Sequence, residues 1–314
     1  MSLRLVLLGT GEFALPSFRA LIASEHDVVA VYTQPDRTGR GHHRHVNQVR
    51  VLGEENDIPV RQPERVNNSD VLDELRSFNA DLFVVAAYGQ ILKPDFLAIP
   101  RLGAFNLHGS LLPRHRGAAP VQYSIWKGDC ETGVTIFQIE PALDSGPVVG
   151  RVTTATGPRE TSGELMQRLA EMSGPLTLEV LSRLADNTVI FEPQDSGLVT
   201  LAPKIRKEDG FIDWSQSAVE IDCQVRAMQP WPKASTWMDS GDRRLRCILV
   251  DVQPLTKTTT VEPGTIVQTE KFLTVATGSG MLQVNRIQPE GKQSMDAIAF
   301  MNGYRTATGL RFGR

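Results

Sequence analysis

Residues 1–150 alternate short apolar runs with amphipathic stretches, and this alternation limits the possible folds more than any other feature of the chain. Leu3–Leu8, Val28–Tyr32, Asp81–Ala86 and Gly103–Leu107 read as strands, whereas Ala14–Ala23, Val46–Glu55, Asp70–Phe78 and Pro94–Ile99 carry helical patterns. Strands separated by helices need crossover connections. The order therefore predicts an α/β fold with a mostly parallel sheet and helices on both faces. Ligands of such sheets gather at the carboxyl ends of the strands.

Val134–Ile139 reads as a further strand, the polar break ALDSGPVV follows, and Val148–Thr153 resumes the strand pattern. A helix is expected from about Thr161 to Leu184, with Thr161 as N-cap and Glu164 at the capping-box spacing. Ala185–Pro203 is rich in Asn, Thr, Pro, Ser and Gly and reads as a linker. From Ile205 onward the helical signal is confined to Val219–Met228. The short pieces Ala234–Trp237, Arg246–Val252, Gly264–Gln268, Leu273–Ala276 and Leu282–Ile287 suggest a small β-barrel. A chain of 314 residues exceeds the usual single-core size. The expected division is an α/β domain over 1–185, a linker over 186–205 and a barrel over 206–314.

A content of 41% hydrophobic and 22% charged residues argues against disorder. No apolar run approaches a membrane span, and the opening MSLRLVLLGT lacks a signal-peptide cleavage pattern. Cys130, Cys223 and Cys247 are odd in number and widely spaced, which indicates neither a disulfide framework nor a thiolate zinc site. A cytoplasmic, monomeric enzyme without a metal fits best. The net charge is only −3, with a slight basic excess in residues 206–314, so nucleic-acid binding is neither required nor opposed.

The segment GAFNLHGSLLPRHRGAAP, Gly103–Pro120, carries the chemistry. Asn106 and His108 alternate with Phe105 and Leu107, so a period of two puts both polar side chains on one face at a strand end. Together they can stabilise a developing oxyanion, which points to acyl or formyl transfer. Asp144, in the polar break, is a candidate to hold the imidazole and raise its pKa, although an Asx-turn closing LDSG explains it equally well. Histidine alone is more often structural than catalytic, and it is the company of Asn106 that favours function. Ser110 is the nearest hydroxyl and does not lie in a G-x-S-x-G elbow, so direct transfer is favoured over a covalent intermediate.

Asn106, His108, the run Ser110–Pro113, the RGAAP run Arg116–Pro120 and the LDSG run Leu143–Gly146 resemble the signature of the 10-formyltetrahydrofolate-dependent formyltransferases. The resemblance continues from GTGEFA through QPDR, AAYG, ETGVTIFQ and RAMQPWP to IQPEGKQSM, nearly the whole chain. It implies a Rossmann-like catalytic domain and a C-terminal OB-like, tRNA-binding barrel. It also implies Asn106, His108 and Asp144 as a catalytic trio, with a protonated His108 and the Asn106 amide on the oxyanion. Folate would lie along Gln90, Ile91 and Leu92 and along Ser110, Leu111, Leu112 and Pro113. The acceptor would be the α-amino group of methionyl initiator tRNA.

Between Asp36 and Glu54 the chain carries Arg37, Arg40, Arg44 and Arg50, three histidines and no acid, a density suited to phosphates. The resemblance makes Arg37, Arg40 and Arg44, with Lys204, candidate tRNA contacts. The loop lacks the usual Pro beside GRG and the usual basic-Leu-x-Pro-Ser-Pro continuation. A metal site at His42, His43 and His45 has no Cys or carboxylate to complete it. An alternative acceptor is an amino-sugar nucleotide, which the Ala118–Ala119 pair, the basic insertion and the C-terminal motifs disfavour. Gly9–Ala14 also matches the dinucleotide fingerprint G-x-G-x-x-A, which would suggest an oxidoreductase, but Gln34 and Pro35 stand where an acidic residue is expected. A non-enzymatic RNA-binding module leaves the trio unexplained.

Overall fold

Residues 2–36, 46–240, 243–257, 259–268, 272–304, 306 and 308–313 are described by a computed structural model of the chain. In the first part the strands are β1 (Arg4–Gly9), β2 (Asp27–Tyr32), β3 (Val60–Arg61), β4 (Leu82–Ala86), β5 (Ala104–His108), β6 (Glu131–Gln138) and β7 (Val148–Ala155). The helices among them are α1 (Leu15–Ile22), α2 (Gln48–Glu55), α3 (Ser69–Ser77), α4 (Pro94–Leu97), α5 (Pro120–Trp126) and α6 (Ser162–Ala185). The expected alternation is present.

These strands form one seven-stranded sheet in the order β3-β2-β1-β4-β5-β6-β7. The strands from β3 to β5 pair in parallel, while β6 and β7 run antiparallel at the far edge. The chain order reverses between β1 and β4, the switch point of a Rossmann-like sheet. β4 is buried at every position and β1 at all but its first, the pattern of strands covered on both faces. Val6, Leu8, Tyr32, Phe83 and Val85 meet Leu72, Leu75 and Phe96 in one core cluster. β7 instead alternates half-buried and exposed residues after its first two positions, as an antiparallel edge strand does.

Gly9 ends β1 against α1, where a Cβ would fall 2.7 Å from the Phe18 ring. That close approach gives a packing reason for the first glycine of GTGEFA, independent of any dinucleotide. The capping box expected at the start of the long helix is present: the Thr161 amide donates to Glu164 Oε2 at 2.9 Å, and the Glu164 amide donates to Thr161 Oγ1 at 3.3 Å.

The second sheet is antiparallel and contains β8 (Ser235–Ser240), β9 (Arg243–Leu255), β10 (Ile266–Gln268), β11 (Leu273–Ala276), β12 (Met281–Pro289), β13 (Met295–Asp296) and β14 (Phe312–Gly313). Its order is β10-β11-β12-β9-β8-β14, with β13 on β12. A Thr265–Arg311 bridge, with the Ile266 amide donating to the Leu310 carbonyl at 2.8 Å, joins the two ends and nearly closes an OB-like barrel. Two helices accompany it, α7 (Ala218–Ala227) and α8 (Ala297–Tyr304). The sequence pattern anticipates α7 but not α8, whose Ala299 amide is capped by Asp296 Oδ1 at 2.8 Å.

Contacts divide the chain into two compact units, Met1–Pro120, Glu131–Ala155 and Leu165–Pro203 in one and Val121–Cys130, Thr156–Glu164 and Lys204–Arg314 in the other. Residues 186–203 pack with the first sheet: Glu192 bridges to Val148, and Ala202 exchanges backbone hydrogen bonds with Arg116 and Ala119.

Candidate active site

β5 places Asn106 and His108 on the same side of the sheet, two residues apart at its carboxyl end. His108 is buried and pairs across to Thr135 of β6, with its ring edge-on to Phe137. Its Nε2 lies 2.9 Å from the His115 carbonyl. Because a carbonyl can only accept, Nε2 carries the proton and the neutral ring keeps Nδ1 bare. Nδ1 faces Asp144 Oδ2 at 3.8 Å, an electrostatic contact too long for a hydrogen bond.

The charge state differs from the sequence expectation. Burial pulls the His108 pKa below its ordinary value, and the Asp144 carboxylate, the His115 carbonyl bond and the His115 ring modify that without reversing it. The resting imidazole is therefore neutral, not protonated. Desolvation wins because Asp144 stands off by 3.8 Å and its Oδ2 accepts the Gly117 amide at 2.7 Å.

Asn106 is half-buried, and among the described residues its side-chain amide has no hydrogen-bond partner. A strand built for burial with such an amide at its mouth presents a donor ready for an incoming acceptor. Asp144 adopts φ +44°, a left-handed conformation that costs a non-glycine residue about 1 kcal/mol or more.

The other residues singled out in the sequence fall into four groups. Ser110, Leu111, Leu112 and Pro113 follow directly from β5: Ser110 Oγ donates to the Arg114 carbonyl at 2.7 Å, and Thr135 Oγ1 both donates to the Ser110 carbonyl and accepts the Leu112 amide. Leu112 is a core residue packed with Phe137 and Val148. Gln90, Ile91 and Leu92 follow β4, the parallel neighbour of β5, at the same sheet edge. The Gln90 side chain is spent on the Val66 amide and the Pro63 carbonyl, Ile91 is 84% exposed, and the Ile91 carbonyl accepts from Asn67. Lys204 is exposed and lies in the other unit. Arg37, Arg40 and Arg44, like His42, His43 and His45, lie outside the described residues.

Sequence reasoning missed His115, Thr135, Gln194 and Thr200. His115 supplies the carbonyl that fixes the His108 tautomer, and its own amide donates to Thr200 Oγ1 at 2.8 Å. A second histidine seven residues after His108 was a signal in the sequence; Gln194 and Thr200, in a stretch read as a linker, gave none. Among the described residues, no cluster of three or more His, Cys, Asp or Glu side chains could hold a metal ion, and no helix is long and apolar enough to cross a membrane.

Comparison with known proteins bears on this arrangement. The formyl transferase family model matches residues 3–181, and the model of the formyl transferase C-terminal domain matches residues 204–305. A methionyl-tRNA formyltransferase of Methylococcus capsulatus is 42% identical over 312 residues, covering 99% of this chain and 100% of the relative. Another, from Desulfotalea psychrophila, is 41% identical over 304 residues, 96% of this chain and 93% of its own length. Among solved structures, the sugar 3N-formyl transferase WlaRD aligns with a TM-score of 0.65 at 15% identity, covering 93% of this chain and 100% of its own. HypX from Aquifex aeolicus in complex with tetrahydrofolic acid aligns with a TM-score of 0.58 at 15% identity over 98% of this chain, which spans about half of HypX (48%). At such identities these two likenesses concern the fold alone. The family-model matches and the full-length curated relatives show that this chain is an enzyme that belongs to the methionyl-tRNA formyltransferase family of formyl transferases.

Proposed function

We propose that the protein moves the formyl group of 10-formyltetrahydrofolate to the α-amino group of methionyl initiator tRNA by direct amine attack at the carboxyl end of β5. The observation that carries this reading is the buried His108, held between the His115 carbonyl and the Asp144 carboxylate, beside an Asn106 amide that has no partner among the described residues. The full-length relatives, both methionyl-tRNA formyltransferases, support the acceptor.

An α-amino group titrates near 7.7 to 8.0, so an appreciable part is neutral and nucleophilic without a strong base. As its nitrogen bonds to the formyl carbon, the formyl oxygen gains negative charge. The Asn106 amide donates a hydrogen bond there, worth on the order of 3 kcal/mol of barrier. The nitrogen of the attacking amine must lose a proton, and the bare Nδ1 of the neutral His108 accepts it. The resulting imidazolium stands beside Asp144 and adds its positive charge to the stabilisation of the oxyanion. Nδ1 then returns the proton to the departing folate nitrogen as the carbon–nitrogen bond breaks. The backbone along Gln90–Leu92 and Ser110–Pro113 would hold the folate donor.

In this reading residues 1–185 perform the chemistry with residues 186–203 packed against them, the chain then passes to residues 206–314, and these with Arg37, Arg40, Arg44 and Lys204 grip tRNA in the cytoplasm, as a monomer. The deciding experiment supplies 10-formyltetrahydrofolate with either charged initiator tRNA or an amino-sugar nucleotide and follows which one gains formyl. Formylation of the sugar nucleotide alone would overturn the acceptor. Arg40→Glu should weaken tRNA binding and lower its salt dependence, and an unchanged salt slope would remove that contact.

A further inference from the structure

The two groups that flank the His108 ring, the His115 carbonyl and the Asp144 carboxylate, are both anchored to one distant stretch of chain, residues 194–202. Gln194 Nε2 donates to the Asp144 carbonyl and to the Gly146 carbonyl, each at 2.8 Å. Its Oε1 accepts Nε and Nη2 of Arg116 at 3.1 and 2.7 Å. The single amide thus joins the Asp144 loop to the loop that follows His115. On the other flank, Thr200 Oγ1 accepts the His115 amide, the Thr200 carbonyl accepts the Arg116 amide, and the Ala202 amide donates to the Arg116 carbonyl. Gly117, between them, donates to Asp144 Oδ2.

We infer that Gln194, oriented by Arg116, is a positioning residue for formyl transfer: it holds Asp144 in its left-handed conformation and so sets the distance between the carboxylate and His108. A glutamine suits this task because its amide carries both the two donors that the loop carbonyls require and the acceptor that the guanidinium fork requires. Without it the strained Asp144 backbone can relax, and the carboxylate with it. Gln194 is not a catalytic residue, since it acts only through Asp144. The inference rests on the roles proposed above for His108 and Asp144.

The test compares Gln194→Ala, Gln194→Glu and Asp144→Asn in the full-length protein, measuring kcat, KM for 10-formyltetrahydrofolate, the pH profile of kcat and the melting temperature. Gln194→Ala should lower kcat by about tenfold or more, as expected of a misplaced catalytic group, with KM changed by less than about threefold. The acid limb of its pH profile should move to lower pH, in the same direction as in Asp144→Asn, because the carboxylate that opposes the effect of burial on His108 has withdrawn. The groups facing that ring are Asp144 and His115, so no other charge is expected to mask the shift. Gln194→Glu keeps the acceptor for Arg116 but turns two donors into an acceptor facing two carbonyls, so it should be impaired at least as much while remaining folded. Wild-type kcat in either Gln194 variant overturns the inference, and so does a loss of kcat with an unmoved acid limb. Should Asp144→Asn itself retain wild-type kcat, the proposed role of Asp144 fails and the inference with it, whereas an inactive Asp144→Asn beside a normal Gln194→Ala overturns the positioning role alone.

Discussion

Burial and charge compete directly at His108. In the unfolded chain an imidazole titrates near 6.5, and in the folded protein burial lowers that value for His108 while Asp144 opposes the shift. Between the two values the unfolded chain holds a proton that the folded one does not, so this contribution to stability is present above about pH 6.5 and is lost as pH falls through the folded value. His26, also lowered chiefly by burial, acts with the same sign. Denaturation midpoints should therefore fall between pH 7 and pH 5, and less steeply in His108→Asn; an equal slope in the variant would contradict the burial argument. The same residue and its neighbour should govern turnover. Asn106→Ala and His108→Ala should each lower kcat by at least about tenfold with the fold intact by circular dichroism, and near-normal turnover in either would remove it from the proposed mechanism. The thiols offer no rival nucleophile in the core, since burial raises the Cys223 pKa and lifts that of Cys247 to about 12. Asn106 and His108 were legible as a pair because strand periodicity alone puts them on one face. The neutrality of His108 was not, because desolvation depends on what covers the ring.

Among the elements, those whose pattern agrees with their surroundings were readable and the others were not. β1, β2, β4 and β5 announce themselves as apolar runs, and the first turn of α6 carries its capping box in the sequence. α5 reads PVQYSIW, rich in residues that favour strands, yet it is helical, an override by tertiary context. α8 is as long as α1 and α2 but begins with the uninterrupted apolar run AIAFM, which shows no helical period although Ala297, Phe300 and Met301 line one buried face. The pairing of residues 116–119 with 200–202 was also invisible, because such a contact depends on close backbone approach at Gly117. That residue has φ +126°, and a Cβ there would lie 2.6 Å from the Ala202 carbonyl oxygen. Gly117→Ala should cost about 1–3 kcal/mol of stability and depress kcat, since the amide it displaces is the one bonded to Asp144 Oδ2. A melting temperature equal to wild type would refute the close-approach argument.

The whole molecule does not divide as its chain order suggests. Two internal stretches, Val121–Cys130 and Thr156–Glu164, belong to the unit built around the barrel. Arg159 binds Asp222 and Asp251 at 2.7 Å each, Arg226 reaches the Glu160 carbonyl, and Ser162 donates to the Ala227 carbonyl. A fragment ending at residue 203 should therefore leave both stretches without partners, and hydrogen exchange should be faster there than in the full chain; full protection would show that they order without the barrel. Because the net charge is only −3, the tRNA binding proposed above would rest on local basic density, and its salt dependence would grow with the number of basic residues that meet phosphates. The sequence by itself determined the two-part α/β and β-barrel composition, the parallel sheet and the strand end that bears Asn106 and His108, because periodicity and apolar runs are local properties. Only the tertiary structure decided the burial of His108, the left-handed Asp144 and the hydrogen bonds that Gln194 makes to both loops. Burial, stand-off distance and hydrogen bonds between residues far apart in sequence arise once separate segments meet, and no local pattern encodes them.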